Sequence, residues 1–389
     1  KIRITVYYLD YQEVDATHGK IGDVDVVWNI TPNDDNAYQN NLDATLLNQA
    51  DAPADDKIDL FLVEADYALK YVDTDYTMPI KDLGITDDDL SKQYQYTKDI
   101  VTDSNGVLKG LSWQGCPGVL FYNRDAAKEV LGTDDPDKVQ ESVKDWDTYN
   151  DTAKKMKDAG YKMTASANDT YRVYSNNVSS KWVEDGKVQV DDNIMKWVDD
   201  SKKLVDAKEA GTFDMWSDDW SKGFYPDGKV FCYFGPAWLV NFSMAADTEG
   251  SIGYNGGWGA AQGPQGFFWG GTWICAAQGT DNANLVKDIM LKMTTDDDIM
   301  KDIVVDDDDF VNNSTVMNGM ADGSIKVKDN KEYSSKILGG QNPLPMYCAG
   351  VETLDLSNLS SYDQGCNEEF QNAMKNYFEG KATKDEALD

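Results

Sequence analysis

Histidine and cysteine are scarce. One histidine, His18, stands among 389 residues, and the five cysteines, Cys116, Cys232, Cys275, Cys348 and Cys366, lie far apart with no CxxC among them. A single His leaves no room for a histidine-rich metal site, and an odd, scattered set of cysteines makes neither a disulfide framework nor a zinc site. The cysteines read as small buried hydrophobes, with Cys348 and Cys366, which share the C-terminal segment, as the one pair a bridge would join. Positive charge is also short: 36 Lys and Arg against 69 Asp and Glu give a formal net charge of -33. Such a chain repels phosphates, which excludes nucleic acid as a partner and disfavours anionic lipid surfaces. No run of about 18 apolar residues exists to span a bilayer. GxSxG and the phosphate-binding GxxxxGK[ST] are missing, and Gly257, Gly259 and Gly263 miss the spacing of a dinucleotide fingerprint. With 69 acids, carboxylate pairs of the kind glycoside hydrolysis needs arise by abundance alone and carry no information.

The chain opens on KIRITVYYLD, already a strand pattern and not a signal peptide. It is expected to be a mature or trimmed form whose leader, with any lipid anchor, has been removed. At 389 residues and 41% hydrophobic it is long enough for two domains, each with its own core. Its richest feature is aromatic. Residues 234–276 carry Trp238, Trp258, Trp269 and Trp273, separated by Gly and Pro and not by the apolar spacing of a helix or a long strand. Large flat rings held on Gly-rich loops suggest platforms lining a small-molecule site, against the alternative that these tryptophans are ordinary core. A neutral ligand suits a protein this acidic. A sugar ring fits, because its C–H face is apolar and slightly positive against the negative face of an indole, while its hydroxyls need polar partners.

Along the chain, residues 2–8, 24–30 and 58–63 read as strands, with a helix over 38–48. Strand, helix, strand in this rhythm opens a parallel α/β sheet, whose ligands gather at the carboxyl ends of the strands. Asp10, Glu64, Asp66 and Tyr67, in the loops that leave the first and third strands, are therefore site candidates. Residues 107–123 read as two apolar strands parted by Gly115, Pro117 and Gly118, a pattern suited to crossing between lobes, with Trp113 and Gln114 at the crossing. Helices follow over 124–131 and 146–159. Ile194, Trp197, Val198, Leu204 and Val205 keep helical spacing, which assigns Trp197 to the core. Trp216 and Trp220 flank the acids of MWSDDW in a short helix or turn, and either could face a site. Pro236 starts a helix and puts Trp238 in its first turn. Residues 270–277 read as a returning strand, beginning at Gly270, and Arg172 is a candidate donor to vicinal hydroxyls. The acidic runs at 87–89, 296–298 and 306–309 read as solvated helix ends, with structural calcium as the alternative.

The order of these pieces resembles the extracellular sugar-binding receptors of bacterial ABC importers, the maltose-binding-like group (family 1). KIDLFLVEADYALKYVDTDYTMPIKDL is similar to that family's strand and acidic loop. KGLSWQGCPGVLFYNRD is similar to its lobe-crossing strand pair and VKDWDTYNDTAKKMKDAG to its Trp-Asp helix. DGKVFCYFGPAWLVNF resembles its Gly-Pro-Trp segment, and FFWGGTWICAAQGTDNANLVKDIMLKMTTDDD its Gly-Gly strand and following helices. The pieces are collinear over nearly the whole chain. The resemblance implies a two-lobe periplasmic-binding-protein-like fold (type II), with residues 1–113 plus 277–323 in an N-terminal lobe and 119–271 plus 335–389 in a C-terminal lobe. Hinge crossings would lie near 113–119, 271–276 and 323–340, with a ligand cleft between the lobes. It further implies a monomeric, non-catalytic receptor without a cofactor, a bacterial lipoprotein or periplasmic protein. Such a receptor binds an oligosaccharide and delivers it, by hinge closure, to the membrane permease subunits of an ABC transporter. A carboxylate-dependent glycoside hydrolase and a non-closing adhesion module are the alternative readings.

Overall fold

The computed structural model describes residues 1–7 and 19–389; Asp10 and His18 lie outside the described residues. The chain forms two compact units. One holds Lys1–Gln114 and Gly270–Met300, the other Gly115–Trp269 and Lys301–Asp389. The chain thus passes from unit to unit at Gln114, at Trp269 and at Met300, this last inside the helix Asp297–Asp307. The sequence reading placed its third crossing at 323–340, a segment that lies within the second unit.

In the first unit a six-stranded sheet runs in the order Lys20–Ile21, Val24–Ile30, Ile2–Val6, Leu60–Glu64, Thr272–Ala276, Leu111–Ser112. Val24–Ile30, Ile2–Val6 and Leu60–Glu64 are parallel, as the strand-helix-strand rhythm predicts, and Thr272–Ala276 runs antiparallel to both of its neighbours. Ile2, Ile4 and Val6 are buried, and Leu60, Leu111, Ile274, Val286 and Met290 join them in one core. Asp59 fixes the start of its strand by accepting from the Arg3 backbone N–H at 2.7 Å and the Thr280 hydroxyl at 2.5 Å. Val6 pairs with Ile30, so the parallel strands end together, and Tyr7 and the turn after Glu64 leave from that same end.

The second unit is built on Pro117–Asn123, buried along its whole length and antiparallel to Trp258–Ala261, Cys232–Gly235 and Phe267–Phe268. Gly118 is required there: a Cβ at this position would stand 2.2 Å from the Phe267 ring. Asn123 ends the strand and caps the helix Arg124–Leu131, accepting from the N–H groups of Asp125 and Ala126. Capping by Asp145 starts the helix Trp146–Asp158 in the same way. A further cluster joins Tyr171, Tyr174, Trp182, Trp197, Phe370, Met374 and Phe378, so that Trp197 is core, as its helical spacing predicts.

Two alternatives that the sequence leaves open are decided. Trp258 and Trp273 are fully buried, because each lies on a regular strand and not on a Gly-rich turn. Cys348 and Cys366 are not joined by a disulfide.

Candidate functional site

The second unit gathers tryptophans from three separate segments. Trp238 sits in the first turn of the helix Ala237–Ser243, which Pro236 opens. Trp269 follows the strand Phe267–Phe268, and Trp216 precedes the short helix Asp218–Ser221. Trp238 donates its indole N–H to the Trp269 carbonyl at 3.1 Å, and their rings meet edge to face with centroids 5.1 Å apart. Trp216 lies over both, near-parallel to Trp238 (21°, 6.3 Å) and tilted against Trp269 (5.6 Å). Trp216 is 53% exposed, and Trp238 and Trp269 are half-buried. The Arg172 guanidinium stands 5.7 Å from the Trp269 ring centre, within cation–π range. Three indoles, partly uncovered and flanked by a multidentate donor, form an apolar surface with a polar edge, which is the lining a small neutral ligand requires.

The backbone at Trp216 is held in the left-handed region, φ 71°. A bulky residue there is costly and persists only where its surroundings fix it. The fixing is visible. Ser217 donates to the Asp214 carbonyl through both its N–H and its hydroxyl, at 3.1 and 2.6 Å, and accepts from the Trp220 N–H. Lys375 holds the Asp214 carboxylate at 2.6 Å. Trp220, expected as a ligand-facing ring, is 1% exposed and instead underlies Trp216 with ring centres 5.1 Å apart. It offers no face, because its helix turns it into the core against Phe224 and Tyr233.

In the first unit the candidates lie at the carboxyl end of the sheet. Glu64 ends its strand and pairs with Thr272, and Asp66 and Tyr67 form the turn that starts the helix Ala68–Val72. Tyr67 is 3% exposed, and burial, then the nearby Glu64, push its phenol well above the usual range. Gln114 is buried and accepts from the Thr272 N–H at 3.0 Å, while Ser112 donates to the Thr272 carbonyl at 2.6 Å. Glu64 and Gln114 therefore flank Thr272 on its two sides, and the Tyr7 hydroxyl bonds the Thr272 hydroxyl. Trp113 is half-buried against the core of this unit. Gly270 and Gly271, with φ of 69° and 106°, follow the passage at Trp269.

Sequence reasoning missed Asp169, a buried carboxyl that accepts from the Trp220 indole at 2.9 Å and the Ser166 N–H at 2.9 Å. The signal was present as a capping box, Ser166 followed three residues later by an acid. Tyr7 and Thr272 were also missed, and only strand register could have joined them to Glu64. Among the described residues no cluster of three or more His, Cys, Asp or Glu side chains could hold a metal ion. In the Asp103–Gly106 loop the Asp103 carboxylate instead meets the Lys109 ammonium at 3.1 Å. No helix described is long and apolar enough to cross a membrane.

No curated protein sequence matches the chain. Its fold matches solved structures end to end. An extracellular solute-binding protein of family 1 superposes with a TM-score of 0.80 at 18% identity, covering 100% of this chain and 97% of that one. The ABC-transporter-associated binding protein of B. animalis subsp. lactis, solved with β-1,6-galactobiose, gives 0.70 at 20%, covering 100% and 94%. The galacto-N-biose/lacto-N-biose I-binding protein of Bifidobacterium longum, solved with lacto-N-biose, gives 0.71 at 14%, covering 100% and 93%. These likenesses establish the two-lobe α/β fold of solute-binding proteins. Residues 16–333 match the family model described as bacterial extracellular solute-binding protein, and over that length the chain belongs to this family.

Proposed function

We propose that this protein is an oligosaccharide receptor of a bacterial ABC importer: it binds a neutral sugar of more than one unit, performs no chemistry on it, and delivers it to membrane permease subunits. The observation that carries this reading is the three-indole surface of Trp216, Trp238 and Trp269 beside Arg172. Stacking on the indoles removes the apolar face of a sugar ring from water, and the Arg172 fork suits vicinal hydroxyls. Sugar complexes among proteins of the same fold support the ligand class. The acidic surface suits an extracellular protein and repels anionic solutes. Glu64 and Asp66, at the carboxyl end of the first unit's sheet, are further proposed hydroxyl partners. The receptor is proposed to act as a monomer, anchored at the cell surface or free in the periplasm. Each unit has its own core, so ligand-driven hinge closure follows as the proposed signal to the permease.

Calorimetry with maltose, lacto-N-biose and β-1,6-galactobiose, alongside an assay for new reducing ends, tests this reading. Saturable heat without product supports a receptor. Product release would make the protein a hydrolase, and no heat with any neutral glycan of a wider panel would remove the sugar from the account.

A further inference from the structure

One buried carboxyl group joins two supports of the aromatic surface, Trp220 and the turn before Arg172. Asp169 Oδ1 accepts the indole N–H of Trp220 at 2.9 Å, and Trp220 is the ring on which Trp216 rests. Asp169 Oδ2 accepts the Ser166 N–H at 2.9 Å and so closes the turn Ala167–Thr170, which runs directly into Tyr171–Ser175, the helix of Arg172. Trp220 is also fixed through its backbone, its carbonyl accepting from the Tyr233 hydroxyl at 2.8 Å. Asp169 is 4% exposed and touches no surface a ligand could reach.

We propose that Asp169 is the positioning residue of the aromatic surface: its one carboxyl holds Trp220 beneath Trp216 and the turn that carries Arg172, so that removing its proton, which leaves a charge buried there, loosens the surface and weakens sugar binding. Both carboxyl oxygens receive N–H donors, and an anion satisfies both with charge-assisted bonds. These two bonds do not offset the cost of burying the charge, so the positioned arrangement favours the neutral carboxyl more than a solvated arrangement does. The titratable groups that face Asp169 are the Tyr149 phenol, from Trp146–Asp158, and Cys232 and Tyr233, from Cys232–Gly235. Burial pushes each of these up and keeps it protonated, so none changes charge across ordinary pH. Asp169 itself is pushed up to about 7 by burial, against the opposing pull of the Trp220 and Ser166 N–H bonds. The affinity part of this inference rests on the sugar-receptor reading; the positioning part does not.

The test begins without a ligand. Near-UV circular dichroism and acrylamide quenching of the tryptophans are followed from pH 5 to 9 in the full chain, in Asp169→Asn and in Trp220→Phe. The wild type should titrate with one midpoint near neutrality, with quenching greater on the alkaline side. Asp169→Asn should be flat, and Trp220→Phe, which keeps a ring but removes the N–H that favours the anion, should move the midpoint upward. A flat wild-type profile, an Asp169→Asn profile that still titrates, or an unmoved Trp220→Phe midpoint overturns the proposal. If Asp169→Asn does not fold, the Trp220→Phe midpoint decides alone. Titration with β-1,6-galactobiose, maltose and lacto-N-biose then reads affinity: binding should weaken roughly three- to tenfold on the alkaline side, the worth of about one hydrogen bond, in wild type only. A pH-dependent spectrum with pH-independent sugar affinity overturns the link to binding. A pH-dependent spectrum with no sugar bound at any pH keeps the positioning role and overturns the receptor reading.

Discussion

Replacement of Trp216 separates a ligand platform from a packing residue, because the ring has a measurable share of both roles. With 53% of its surface open, the indole can present one face to a ligand. Covering that face removes roughly 60 to 100 Å² from water, about 1.5 to 2.5 kcal/mol. Trp216→Ala should therefore weaken sugar binding by roughly 10- to 70-fold in a calorimetric titration. The buried part of the ring rests on Trp220, Trp238 and Trp269, and losing ~100 Å² of that contact costs about 2.5 kcal/mol of fold stability. The backbone supplies a control. At φ 71° an alanine keeps the left-handed strain and a glycine does not, so Trp216→Gly should lose the same affinity while folding about 1 kcal/mol more stably than Trp216→Ala. Thermal melts of the two variants give the second comparison. Wild-type affinity in Trp216→Ala would refute the platform, and a glycine variant no more stable than the alanine variant would refute the strain argument.

Other expectations follow from the buried charges and the first-unit loop. Asp169 has a raised folded-state value of about 7, so the folded state binds more protons than the unfolded one between the ordinary carboxylate value and neutrality. Its contribution to stability is full at acid pH and is lost as pH rises through about 7; denaturant unfolding at pH 5 and 8 should show that fall in the wild type and a smaller one in Asp169→Asn. Lys109 and Asp103 form a buried ion pair, and Lys109→Met, which leaves the carboxylate alone, should cost about 3 kcal/mol by denaturant unfolding. Burial alone would raise Asp103, yet the Val107 N–H and Lys109 hold it below the usual range, so the pair's contribution should be lost only as pH falls through that depressed value. Asp66→Ala should weaken sugar binding by about 1.5 to 3 kcal/mol if its carboxylate accepts a buried hydroxyl, and an unchanged dissociation constant removes it from the site.

Much of the fold was legible because local signals and tertiary contacts agree. The parallel strands, the helix Arg124–Leu131 closed by Gly132, and Trp238 in the first turn after Pro236 all carry period and cap signals in adjacent residues. The fate of individual tryptophans was not legible to the same degree. Trp258 and Trp269 both adjoin glycines, yet Trp258 joins a strand against Asn123 and is buried while Trp269 leaves its strand half-exposed. That difference lies in strand register, which pairs residues more than a hundred positions apart. The clustering of Trp216 with Trp238 and Trp269 escaped for the same reason, and Asp169 because a carboxylate beneath two indoles looks, in one dimension, like any other helix-capping acid.

In the proposed receptor a sugar rests on Trp216, Trp238 and Trp269 and leaves the buried rings alone. The most direct measurement is the indole N–H spectrum of the 15N-labelled protein, assigned by single Trp→Phe variants and titrated with β-1,6-galactobiose, maltose and lacto-N-biose. The indole signals of Trp216, Trp238 and Trp269 should shift together with one dissociation constant, while those of the core residues Trp197 and Trp273, held by the carbonyls of Ala167 and Thr97, stay in place. Saturable sugar binding that leaves the three cluster signals unmoved would contradict the account.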